Sequence, residues 1–117
     1  MITRANEMKV DVHEGFRGGK GTTKLIHFMD KEDSCGAGRL FARGVLTPGS
    51  SVGYHAHEGD YEIYYILSGK GLGNDNGEEC TLEAGDSFLT KNGSSHSLEN
   101  IGDVDLEYIA IILFDKQ

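Results

Sequence analysis

From residue 25 to residue 114 the chain alternates short apolar-rich runs with clusters of glycine, asparagine, aspartate and serine. LIHFM (25–29) leads into DKEDSCGAG, a polar stretch that reads as a loop. RLFARGVLT (39–47) runs into Pro48-Gly49, and VGYHAH (52–57) stops at Glu58-Gly59-Asp60. YEIYYIL (61–67) is rich in aromatic and β-branched residues and ends at Ser68-Gly69. Asn74-Asp75-Asn76-Gly77 carries the signature of a hairpin turn ahead of EECTL (78–82). Gly85-Asp86 opens DSFLT, and Lys91-Asn92-Gly93 turns the chain into SSHSLEN. Gly102-Asp103 precedes LEYIAIILF (106–114), the most apolar run of all. No segment sustains a 3.6-residue repeat, although residues 29–35 can hold one helical turn. The pattern predicts roughly nine strands in mostly antiparallel order, an all-β sandwich or barrel of the jelly-roll type.

Composition narrows this further. A chain of 117 residues builds one domain with a real core and is too short for two ordinary ones. Seventeen glycines against one proline suit many short strands joined by tight turns. Residues 1–23 are polar and glycine-rich and read as an arm packing on the barrel (24–117) or on a partner subunit. A net charge of −8 argues against nucleic-acid and anionic-membrane partners, because phosphates would be repelled. No apolar run approaches the roughly 18 residues of a membrane span. The start, MITRANEMKV, lacks the apolar stretch of a signal peptide, so a cytoplasmic location is expected. Cys35 and Cys80 form no redox or disulfide motif and read as ordinary thiols. GFRGGKGTT (15–23) suggests a phosphate loop, but glycine follows Lys20 where Ser or Thr is needed, and no clear strand feeds it.

The chemistry concentrates in YHAHEGDYE (54–62). Alternation along a strand points His55 and His57 the same way. If the chain reverses at Glu58-Gly59-Asp60, hairpin pairing brings Glu62 beside them. Glu58 and Asp60 then sit in the turn, facing water. Two imidazoles and a carboxylate suit a borderline divalent metal. A second hairpin around Gly85 and Gly93, packed against the first, would add His96. His13 and His27 read as structural or exposed.

These residues also fit a known pattern. Gly49, His55, His57, Glu62 and Gly69 match the first cupin motif, G-x5-H-x-H-x3–4-E-x6-G, at every position. Gly85, Gly93, His96 and Asn100 match the second, with Lys91 where proline is usual. The chain thus resembles small single-domain bacterial cupins of the conserved-barrel, RmlC-like type, labelled mannose-6-phosphate-isomerase-like or oxalate-decarboxylase-like. The resemblance implies a small antiparallel jelly-roll barrel, or double-stranded β-helix. It also implies that His55, His57, Glu62 and His96 hold one divalent ion (Mn, Fe, Zn, Ni, Co or Cu).

Further pocket candidates follow from spacing and position. Tyr64 shares the face of Glu62 and should line the cavity, and Phe88 supplies apolar wall. Arg43, on the strand before the first motif, reads as a surface arginine first and as an anchor for an anionic substrate second. A divalent ion held by one carboxylate keeps a net positive charge, favouring a small anionic or chelating oxygen ligand. Two functions fit: a metalloenzyme (oxygenase, decarboxylase or isomerase), or a non-catalytic module binding a small ligand or metal. A homodimer is expected, since LEYIAIILF and YEIYYIL carry apolar residues on both faces.

Overall fold

The computed structural model describes residues 1–116. Ten strands form two antiparallel sheets with the core between them. In chain order they are β1 (Lys9–Glu14), β2 (Thr22–His27), β3 (Gly38–Leu46), β4 (Ser51–Ala56), β5 (Asp60–Ser68), β6 (Lys70–Asp75), β7 (Glu78–Glu83), β8 (Ser87–Thr90), β9 (Ser95–Asn100) and β10 (Leu106–Phe114). One sheet has six strands in the order β1-β2-β3-β10-β5-β8, and the other has four, β4-β9-β6-β7. Among the described residues, helical content is limited to single 3₁₀ turns at Ala5–Glu7, Phe16–Gly18 and Lys31–Ser34. This is the expected jelly roll.

Two strands went unread in the sequence. β1, KVDVHE, pairs with β2 along its whole length at the edge of the larger sheet. β6 is glycine-rich and lacks the apolar run that marks its neighbours, yet it holds the centre of the smaller sheet. The β6–β7 hairpin closes through Asn76 and Gly77, both at positive φ (53° and 101°), as a two-residue turn matched to strand twist requires.

The other expected hairpins are corrected. β4 and β5 lie in different sheets, as do β8 and β9, so the chain crosses the barrel at each junction rather than folding back beside itself. The reason lies in the partners available. β5 pairs with the apolar β10 on one side and β8 on the other, while β4 is occupied by β9. Inward residues therefore meet across a shared lumen. Leu46, Ile66, Leu98 and Leu106 are all fully buried there, around Tyr64, Phe88 and Tyr108.

Candidate metal centre

The position of His55 depends on a slip in register. β4 pairs with β9 as Ser51↔Glu99 and Val52↔Leu98, then shifts and resumes at His55↔His96. Val52 and His55 are three residues apart, so strict alternation would send one of them outward. The extra residue of a β-bulge in β4 turns both inward. His57 follows just past the strand end, with its backbone still bonded to Gly93 and Ser94. Glu62 reaches the same point from β5, on the opposite sheet, where Asp60, Glu62, Tyr64 and Ile66 all face inward.

The four predicted side chains converge. One ligating atom from each of His55, His57, Glu62 and His96 lies within 4.8 Å of all the others. Glu62 Oε1 is 3.0 Å from His57 Nε2 and 3.1 Å from His96 Nε2. His96 Nε2 is 3.1 Å from Nε2 of both His57 and His55. Each ring is fixed through its other nitrogen. His55 Nδ1 donates to the Gly53 carbonyl (2.7 Å), His57 Nδ1 to Asp60 (2.7 Å), and His96 Nδ1 pairs with Thr90 Oγ1 (2.7 Å). Anchoring Nδ1 leaves Nε2 available toward the centre, the arrangement that metal-binding histidines use.

Asp60 corrects the sequence reading. It is buried rather than solvated in the turn, and it bridges His57 to Arg39, whose Nε donates to it at 2.8 Å. Glu58 is exposed, as expected. Asp60 is two residues from Glu62, so parity alone places both on one face. That signal was present, and the turn-like composition of Glu58-Gly59-Asp60 hid it. Arg39 and Thr90 had no comparable signature.

Tyr64 and Phe88 line the lumen. Tyr64 stacks on His96 (centroids 5.0 Å, planes 9° apart), and Phe88 meets both rings edge-on. Arg43 lies elsewhere. It points to the outer face of the larger sheet and pairs with Glu107. His13 and His27 also lie apart from the cluster, His13 against Phe16 and His27 paired with Asp11.

The charges are strongly coupled. Burial pushes His55 down to about 4, helped by the neighbouring imidazoles and by Arg17. Contact with Glu62, reinforced by Asp60, raises His57 against the opposing effect of burial. Burial would raise Glu62, but hydrogen bonds from His57 and His96 outweigh it and hold the carboxyl below its ordinary value. The Tyr64 phenol, fully enclosed and close to the Glu62 charge, is driven well above its ordinary value and stays protonated.

A two-sheet jelly-roll barrel with three histidines and a glutamate meeting in its lumen defines a class: small β-barrel proteins with a candidate centre for a divalent ion. Residues 42–112 match the family model described as "Cupin domain", and the chain belongs to the cupin family. It is 48% identical over 113 residues to the "Oxalate-binding protein" of Thermotoga maritima, covering 97% of this chain and 93% of that one. It superposes with a TM-score of 0.94 on a crystal structure described as a predicted oxalate decarboxylase from Thermotoga maritima, at 47% identity, covering 98% of this chain and all of that one. A more distant structure, KdgF from Halomonas sp., shares the fold at 18% identity and a TM-score of 0.66 over 92% of this chain and 88% of its own.

Proposed function

We propose that the chain binds a small dicarboxylate of the oxalate kind through one divalent ion held by His55, His57, Glu62 and His96. The observation that carries this is the anchoring of all three histidines by Nδ1, which turns three Nε2 atoms onto one another and onto Glu62. Such a donor cluster repels itself until a proton or a cation sits within it. His57, with its raised pKa, can hold the proton, and a metal would displace it.

The spacing suits a bound ion. Ligands at about 2.1 Å from an ion lie about 3.0 Å apart at right angles, and about 3.4 Å apart in a tetrahedron. The observed 3.0–3.1 Å neighbours favour the right-angled set. These four residues would hold the ion, and its positive charge would draw a small anionic oxygen ligand. When bound, the ion would supply positive charge to polarise that ligand. The name of the Thermotoga maritima relative supports oxalate as the first ligand to test.

The test is elemental analysis together with titration calorimetry. Wild-type protein should carry one divalent ion per chain and bind oxalate only when loaded. His55→Ala and His96→Ala should lose the ion. If both variants keep the wild-type metal content, the assignment is wrong.

Turnover is the second reading, and Tyr64 is the observation that favours it. Its phenol is protonated, buried, and stacked on His96 beside the site. Decarboxylation breaks the carbon–carbon bond of oxalate, releases carbon dioxide and needs one proton to complete formate, and in this reading Tyr64 is the donor. Formate production by loaded wild-type protein, abolished in Tyr64→Phe with oxalate binding retained, would establish an enzyme. Oxalate binding without product would establish a binding module.

The homodimer belongs to the same reading. The outer face of the six-stranded sheet exposes Val10, Val12, Ile63, Tyr65, Leu67 and Leu89, a face suited to a second copy. A cytoplasmic location fits the free, exposed thiols of Cys35 and Cys80.

A further inference from the structure

We infer that Arg17, on the loop joining β1 to β2, is the cationic specificity residue at the mouth of the metal cavity, where it grips a carboxylate of the bound dianion. This rests on the dicarboxylate reading above and adds a residue from outside the barrel motifs.

The loop is fastened to the edge of β4. Ser51 N donates to the Lys20 carbonyl (2.8 Å), Lys20 N to Ser51 Oγ (2.9 Å), and Lys20 Nζ pairs with Glu99 (3.0 Å). Backbone meets backbone so closely that a Cβ on Gly19 would lie 2.1 Å from the Ser51 carbonyl oxygen, and one on Gly53 would lie 2.1 Å from that of Arg17. Among the glycines that resembled a phosphate loop, Gly19 and Gly21 are the ones this approach requires, since a Cβ on Gly21 would meet Ser50 Oγ at 2.2 Å. Phe16, next to Arg17, packs against the core cluster. Arg17 is thus held on both sides.

Its own backbone is unusual. Arg17 adopts φ 55° and ψ 32°, a left-handed conformation that brings the Cβ of an L-residue close to a backbone carbonyl. An arginine kept where glycine would be easier points to a use for the guanidinium. That guanidinium is also uncommitted. Arg39 and Arg43 are paired with Asp60 and Glu107, whereas Arg17 has no carboxylate partner among the described residues.

Position links this charge to the site. Gly53, against which Arg17 rests, also accepts the hydrogen bond that orients His55. Of the four candidate ligands His55 alone is not fully buried, so the cluster is nearest to solvent on its side. On a chain of net charge −8, an approaching dianion meets a repulsive field, and a local cation at the mouth offsets it.

The test is calorimetry on protein loaded with Mn²⁺, titrated with oxalate. Arg17→Gln should bind oxalate at least about 10-fold more weakly, the loss expected for one charge-assisted contact. Its Mn²⁺ affinity, measured without oxalate, should match wild type. Arg17→Lys should keep much of the oxalate affinity. Arg17→Gly, which suits the left-handed backbone, should melt no lower than wild type and still lose oxalate. Oxalate affinity should fall with added salt in wild type and fall less steeply in Arg17→Gln. Unchanged oxalate binding in Arg17→Gln overturns the inference and leaves the dicarboxylate reading intact. Equal losses of Mn²⁺ and oxalate affinity also overturn it, because the residue would then act through the fold. Wild-type protein that takes up Mn²⁺ and ignores oxalate overturns both.

Discussion

Asp60 orients His57 and is itself held by Arg39, so it governs the site without being one of its four candidate ligands. Carboxylates in this role typically affect metal affinity by about 10–100-fold. Asp60→Asn should weaken Mn²⁺ binding by about that factor, measured by calorimetry, with the metal-free melting temperature changed little by comparison. The histidines also predict a pH effect. His55 is held at about 4 against an ordinary 6.5, so between those values the unfolded chain binds more protons than the folded one. Metal-free protein should therefore lose stability as pH falls from about 6.5 to 4. His57 acts in the opposite sense, since a raised pKa contributes most below the ordinary value and is lost as pH rises through the folded one. Melting of chelator-treated protein across that window should show a smaller acid-side loss in His55→Ala than in wild type; parallel curves would contradict it. At this scale the four candidate ligands were legible because their spacing is rigid. Asp60 was obscured by turn composition, and Arg17 because its proximity to Gly53 is set by tertiary packing alone.

The elements were legible where an apolar run carries the strand. β5 and β10 announce themselves, and the Asn76-Gly77 turn fixes the β6–β7 hairpin. What could not be read was which sheet each strand joins. Short connections such as Glu58-Gly59-Asp60 suit a hairpin equally well, and only the competition among partners sends β4 and β5 to opposite sheets. The slip between Val52 and His55 is equally silent in the sequence, because it becomes visible only against the register of β9. The seam between the β1–β2 loop and β4 makes its own prediction. Gly19→Ala places a methyl group 2.1 Å from a backbone oxygen that cannot swing aside. It should lower stability by about 1–3 kcal/mol, the range for overpacking, and speed proteolytic cleavage within residues 15–21.

For the whole molecule, the balance of polar and apolar surface matters most. The smaller sheet turns charged residues such as Glu79 and Glu83 outward, while the larger sheet exposes Ile63, Tyr65 and Leu89 on neighbouring strands. A face of this kind buried against its own copy would place two copies of the candidate site in one particle. Sedimentation velocity should show a dimer for wild type, and Ile63→Glu combined with Leu89→Glu should yield a monomer that still takes up Mn²⁺. A wild-type monomer at micromolar concentration would remove the dimer from the proposed function.

The ligand set draws on both layers of the barrel: His55, His57 and His96 stand on or beside the smaller sheet, and Glu62 on the larger. An ion bound there would be a cross-link between the two sheets. Saturation at 100 times Kd would add about 2.7 kcal/mol to the folded state. The gain should be spread unevenly, concentrated in the amide hydrogen-exchange protection of β4, β5 and β9 and nearly absent from β7. The barrel would then report its own occupancy as stiffness, and loss of the ion would loosen the two halves before either one unravels.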